Sequence, residues 1–479
     1  MKSLKLLSII ASASLLVTSC SKFGDTNQNP NGTTNPSTAA LLSNVESSLG
    51  GFASQTRDGL YAQMFSETQY TEVSLYALPK LDFDGTYSGV LYDLQNIIEY
   101  NTDPEKIPLA AKFGSANNQI AIARILKAYI YWTLTDRWGD IPYSDALKGK
   151  AQLSPKFDTQ ESIYKDLIKE LKEAGAQFDA GTVASGDFIF RGNAASWKRV
   201  ANSLRMLISL RTSKVYPNPG DWAATEFSAA YNDANGYIDD STRNMTLMYS
   251  GSVAAFRNPF YNLYNGRTDF AESKVMTDFM SSYSDPRQAA FGSTTVGFPY
   301  GLTRADAVAF GESNSWARIL ASGFRGTSAP YVIIGASQVL LAAAEAAQRG
   351  WITANATTLY EKGISESWRQ WARPLTGLPA YLAQDKVSLA GTGSALEKIQ
   401  LQQYFAFYPN GTQAWANWRR TGVPALVPTP AATNPGGKIP RRFTYGSITY
   451  AVNEANTNEA VGRLSGGDSP DSRVWWDKP

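Results

Sequence analysis

The sequence predicts an all-α fold: a tetratricopeptide-like scaffold of paired helices that carries a large, irregular, loop-rich half. Three observations predict it. Apolar residues recur at helical spacing between capping and breaking signals, and alternating β-branched runs are scarce. One long stretch, 215–334, loses the helical period and gains Tyr, Phe, Trp, Gly, Asn and Pro in irregular order. A chain of 479 residues, 43% of them hydrophobic, buries enough surface to fold without crosslinks.

The chain opens with Lys2 and Lys5, followed by an apolar run over 6–17. That run is shorter than the roughly 20 residues a membrane-spanning helix needs. It ends in Val17-Thr18-Ser19-Cys20, which marks residues 1–19 as a secretory signal peptide whose cleavage leaves Cys20 first. The tetrapeptide resembles a bacterial lipobox, which implies lipid acylation at Cys20, the chain's one cysteine. Two or three acyl chains anchor a protein stably where one does not. Ser21, rather than an acidic residue, implies sorting to the outer membrane and an address on the cell surface. Residues 20–35, rich in Asn, Gly and Thr, cannot bury apolar surface and read as a tether. Its coil dimension is about 20 Å and its fully extended limit about 50 Å.

Residues 36–479 read as one domain, with a helical scaffold at 36–214 and 335–479 around the insert 215–334. Asn35-Pro36 predicts a helix start, continued by Leu41, Leu42, Val45 and Leu49 and closed by Gly50-Gly51. Ile122, Ile125, Leu126, Tyr129 and Trp132 mark a second helix ending near Asp136. Asp158 and Glu161 form a capping-box pattern before Ile163, Leu167, Ile168 and Leu171. Trp197, Val200, Leu204, Leu207 and Ile208 line a fourth helix. An alanine-rich helix over 337–349 stops at Gly350, and helices over 359–371 and 396–407 follow. The small residues of 341–347 suit close helix approach, although no strict 34-residue repeat is present.

Composition excludes several functions. Loss of Lys2 and Lys5 takes the 44 basic residues to 42, against 42 acidic ones, and no basic stripe points to nucleic acid. There is no histidine, which removes Ser-His and Cys-His nucleophile pairs and the commonest transition-metal ligand. No phosphate-binding glycine loop or nucleophile elbow appears. No metal or cofactor is expected; Asp82-x-Asp84-Gly85 lacks the further ligands of a calcium loop. Paired carboxylates are the catalytic device that remains open, and glycosidases need only two.

Six segments, in order along the chain, resemble one family. Asp136-Arg-Trp-Gly-Asp-Ile-Pro-Tyr143 is similar to the "FGDVPY" element of SusD/RagB-like proteins, and Asp285-Pro-Arg287 to their "DPR" element. Ala343-Ala-Ala-Glu-Ala-Ala-Gln-Arg-Gly-Trp351 resembles "LAEAAARGW", and Ala414-Trp-Ala-Asn-Trp-Arg-Arg-Thr-Gly-Val-Pro424 resembles "AWAEYRRTGYP". Ile439-Pro-Arg-Arg-Phe-Thr-Tyr445, with Glu454 and Asn456 beyond it, is similar to "IPRRLPYP…E…N", and Val474-Trp-Trp-Asp477 to the terminal "VWWD". The resemblance implies a surface lipoprotein that captures oligosaccharides, is not an enzyme, and acts as a lid on a SusC-like TonB-dependent transporter. The RagB branch implies peptide as the alternative cargo. A tryptophan frequent in relatives near Tyr87 is tyrosine here, so the resemblance does not carry a particular sugar preference.

Most of these segments read as scaffold: Gly139 and Pro142 shape a turn, and Trp415, Trp418, Trp475 and Trp476 read as packing. Sugar rings stack a C–H face on an aromatic ring while their hydroxyls take planar polar partners. Loop segments that mix both supply the candidates: Tyr70, Tyr76, Phe83 and Tyr87 from the first, and Tyr264, Arg267, Asn314, Trp316 and Arg318 from the irregular half. The resemblance places binding aromatics in these two regions.

Overall fold

A computed structural model of the chain describes residues 36–77 and 80–479, so the signal, Cys20, the tether and Asn35 lie outside the described residues. Residues Thr38–Pro479 form one compact unit. Its longer helices are α1 (Thr38–Ala53), α2 (Thr56–Tyr61), α3 (Tyr92–Tyr100), α4 (Ala116–Trp138), α5 (Gln160–Gln177), α6 (Ala194–Arg211) and α7 (Trp222–Tyr231). After them come α8 (Lys274–Ser282), α9 (Arg304–Ser313), α10 (Ala336–Gln348), α11 (Ala356–Gln370), α12 (Ala395–Phe407), α13 (Gly411–Thr421) and α14 (Ser447–Gly462).

Sequential helices pack as neighbours: α3 on α4, α4 on α5, α5 on α6, α6 on α7, then α10 on α11 and on α12. Contact between α6 and α10 joins the two runs. This is the helix-pair stacking of tetratricopeptide-like folds, in which each amphipathic face is covered by the next pair. Lying between α3 and α5, α4 is buried nearly all round, and Gly139 stops it at φ +85°. Gly411 lets α13 touch α2, since a Cβ there would sit 2.2 Å from the Gly59 nitrogen.

Two boundaries differ from expectation. Gly50-Gly51 does not end α1, which runs on to Ala53; a Cβ on Gly50 would meet the Tyr249 hydroxyl at 2.0 Å, so that glycine serves close packing. The cap of α5 is Thr159, whose hydroxyl accepts from Ser162 N, and not Asp158. Asp158 instead accepts from the Tyr143 and Ser144 amides and holds the turn after α4.

Between 215 and 334 the chain forms α7, α8 and α9 and short strands. With β1 (Phe65–Glu67), β2 (Met245–Leu247), β3 (Phe270–Glu272) and β4 (Tyr331–Ile334) defined, β1 pairs antiparallel with β3 and β2 with β4.

The family-like motifs form buried ion pairs. Arg420 spans both oxygens of Glu345 at 2.6 and 2.7 Å, with Gln403 and Asn417 around them. The Arg420 charge holds the Glu345 carboxyl below the usual carboxylate range against its burial. Arg287 pairs with Asp285 at 2.6 Å and reaches Gln402 and Ser367, and Arg441 pairs with Asp477. Trp415 and Trp476 are fully buried.

Candidate functional site

The site begins where β1 ends. Its ladder with β3 continues as Thr68 N donates to Asp269 O at 2.9 Å and Thr68 Oγ1 donates to Thr268 O. The Gln69 amide donates to the Asp269 carboxylate, which also pairs with the exposed guanidinium of Arg267. These bonds fix the backbone up to Tyr70, a residue 43% exposed. Arg304, the first residue of α9, places its guanidinium 4.8 Å from the Tyr70 ring centroid. An arginine over a tyrosine face holds that ring flat and leaves the opposite face for a ligand.

The other end of α9 carries the second ring. Thr303 caps the helix by accepting from Asp306 N, and Asn314 closes it, its amide donating to Phe310 O at 3.0 Å. Ala307 and Phe310 turn inward onto Phe298, and Trp316 meets Phe298 edge-on at 5.7 Å. Ala271, Phe298 and Ala307 form a small apolar cluster separate from the main core, with Trp316 half-buried at its rim. Backbone bonds from Glu272 N to Ala317 O and from Ala317 N to Val296 O tie Trp316 to β3.

Tyr264 flanks the same strand. Its hydroxyl donates to Phe270 O at 3.0 Å and accepts from Ile319 N at 2.8 Å. Burial pushes its phenol above the ordinary tyrosine range, so it stays neutral. Arg318 and Arg325 lie 5.4 and 5.0 Å from its centroid. Tyr70, Arg267, Asn314, Trp316, Tyr264 and Arg318 are thus all tied to β3 and α9.

Three candidates fall elsewhere: Tyr76 and Phe83 are buried, and Tyr87 is half-buried. Tyr76 is fully buried at φ +64°, packed edge-on against Tyr61, with its hydroxyl accepting from Thr429 N. Phe83 is 4% exposed among Trp138, Phe157, Tyr87 and Tyr445. Tyr87 donates its hydroxyl to Pro142 O and packs on Tyr131. Phe83 and the half-buried Tyr87 join the segment before α3 to the end of α4 and the turn after it, while Tyr76 is packed between Tyr61 and Thr429. Phe83, Tyr87, Leu91, Leu94 and Ile97 follow the spacing of one helical face, a sequence signal of inward packing.

Sequence reasoning missed Arg304 and Arg325. Thr303 with Asp306 three residues on is a capping signature that marks the start of α9, and so the place of Arg304. No sequence pattern brings Arg325 to Tyr264. Asp82 caps α14 through Ile448 N, and Asp84 accepts from the Thr449 hydroxyl. Among the described residues no group of three or more His, Cys, Asp or Glu is placed to hold a metal ion. Glu67, on β1, is buried; its carboxyl is pushed up to about 7 by burial, against hydrogen bonds from Ser74 N and Ser74 Oγ at 2.8 Å.

No curated protein sequence matches the chain. Solved structures do. A chitin-binding protein aligns with TM-score 0.78 at 26% identity, over 92% of this chain and 100% of its own. A SusD homolog from Bacteroides uniformis aligns with TM-score 0.78 at 26% identity, over 92% and 99%. A chitin-binding SusD homolog from Flavobacterium johnsoniae, at 24% identity and TM-score 0.77 over 92% and 98%, shares the fold. Among the described residues no helix is long and apolar enough to cross a membrane. The sequence model of the SusD-like proteins, described as starch-binding and associating with the outer membrane, matches residues 30–446. The chain belongs to the SusD-like family.

Proposed function

We propose that the chain is a cell-surface glycan-binding lipoprotein that captures oligosaccharides and delivers them to a SusC-like TonB-dependent transporter. The observation that carries this reading is Tyr70, half-exposed and braced by Arg304 at the start of α9, with Trp316 in the loop just beyond the other end of that helix. Rings supply the stacking faces, and Arg267, Asn314 and Arg318 supply planar polar groups for hydroxyls. Similarity to a chitin-binding protein supports a sugar over a peptide as the cargo.

A shallow, partly wet site of this kind binds in the micromolar to millimolar range, roughly 4 to 8 kcal/mol. Acylation of Cys20 and seating on the transporter raise the effective concentration and offset that weakness. In this reading binding leaves the glycan intact.

The test is a screen of the purified chain against an oligosaccharide array and a peptide mixture. Retention of one or more oligosaccharides, with no release of reducing ends, is the expected result. Retention of peptides alone moves the chain to the peptide-binding reading, and sugar release makes it an enzyme.

A further inference from the structure

An open groove of about 930 Å³ is lined by α1, the loop 187–191 and the loop that follows β2. It shares no lining residue with the site around Tyr70 and Trp316. Both loops are held to α1: the Ser43 hydroxyl donates to Gly186 O at 2.8 Å, and the Tyr249 hydroxyl lies against Gly50. Phe188, Met248 and Phe256 line the groove as exposed residues, and Val253 stands exposed in the same loop as Phe256. Met248 is 64% and Phe256 48% exposed, so the chain leaves this apolar rim uncovered.

The surrounding charges have one sign to offer. No charged residue occurs over 244–256, and Arg243 and Arg257 bracket that run. Asp187 is the one acid in the lining, and its oxygens are filled. Ile189 N and Phe190 N donate to one at 3.0 and 2.9 Å, and Gly192 N and the Trp197 indole to the other at 2.7 Å. The same bonds shape the turn that presents Arg191, exposed at φ +52°, with no acidic partner among the described residues. Apolar tips on an uncharged loop with arginine at the edge suit a lipid surface. The tips enter the acyl boundary while a guanidinium stays with the headgroup phosphates.

Position points the same way. The groove is lined by the first turns of α1, which begins at Thr38, and residues 20–35 lead back from there to Cys20. With a coil dimension of about 20 Å and a limit of about 50 Å, an anchored Cys20 keeps this groove close to the bilayer.

We propose that the groove is a membrane-docking surface, which sets Met248, Val253 and Phe256 into an anionic lipid surface with Arg191 on its phosphates. This rests on the lipid anchor of the function proposed above and adds which face of the chain meets the bilayer.

Hydrogen exchange tests it on the mature chain, coupled through its one thiol at Cys20 to a maleimide lipid in vesicles of phosphatidylcholine and phosphatidylglycerol. Amides of 248–257 are expected to exchange roughly threefold more slowly, or slower still, than in the free chain. Amides of 425–427, where Val427 is also exposed, keep their free-chain rate. Met248→Ser with Phe256→Ser, both at exposed positions, is expected to abolish the protection, and Arg191→Glu to reduce it. Coupling supplies the anchor, so exchange over 248–257 as fast as in the free chain overturns the proposal and leaves acylation and glycan capture standing. Equal slowing at 425–427, or protection that survives the double variant, also overturns it. A free Cys20 thiol in the chain isolated from native membranes removes the anchor and this proposal with it, whereas glycan capture is read separately on the array.

Discussion

Tyr70 and Tyr76 lie six residues apart in one loop and face opposite fates. Tyr70 stands in solvent against Arg304, whereas Tyr76 is sealed between Tyr61 and the backbone of Thr429. Tyr76→Ala is therefore expected to lower the unfolding free energy by about 3 kcal/mol. Tyr70→Ala should stay within about 0.5 kcal/mol of the parent; urea unfolding of both checks the contrast. Glu67 gives a pH signature. Its folded carboxyl titrates near 7, above its unfolded 4.5, so the folded chain holds the extra proton between those values. Stability from this group is present below pH 4.5 and falls by about 3 kcal/mol as pH rises to 7. Glu67→Gln removes that decline, which unfolding curves of the two chains across this range will show. The residue types of the candidate site, rings beside Asn and Arg in loops, can be read from the sequence. Which ring is exposed cannot, because burial of Tyr76 depends on Thr429, over 350 positions away.

Helices with strong apolar spacing, such as α4, α5, α6 and α10, were readable to within a few residues, as their faces and caps are local. The shorter α8 and α9 were not: α8 buries only Met276, Thr277 and Met280 over nine residues, and α9 buries only Ala307, in a satellite cluster, and has little period to read. The helix ends depart from expectation where long-range packing decides, as at Gly50 against Tyr249. Helix pairing in the second run rests on Arg420, which bridges from α13 to Glu345 on α10 and orients Gln403 of α12. Arg420→Ala leaves Glu345 buried with its stronger partner gone. A loss of about 3 to 5 kcal/mol is expected, measured by thermal or urea unfolding. Arg420→Lys recovers only part of it, as an ammonium cannot span both oxygens.

Across the whole molecule, the frame and the capture surface are separable. The family-like motifs are buried: Glu345 and Arg420 pair between α10 and α13, and Arg287, paired locally with Asp285, hydrogen-bonds Ser367 of α11 and Gln402 of α12. Tyr70 stands exposed in the loop after β1 instead, and Trp316, half-buried, in the loop after α9. This division lets one scaffold keep its ion pairs while its loops change cargo. Capture as proposed rests on Tyr70 and Trp316 as the sugar platform. Calorimetric titration of an array-positive oligosaccharide against the parent chain, Tyr70→Ala and Trp316→Ala tests it most directly. Both variants are expected to fold and each to bind roughly tenfold more weakly or worse, with the oligosaccharide recovered uncut. Parent-like affinity in both variants would contradict it.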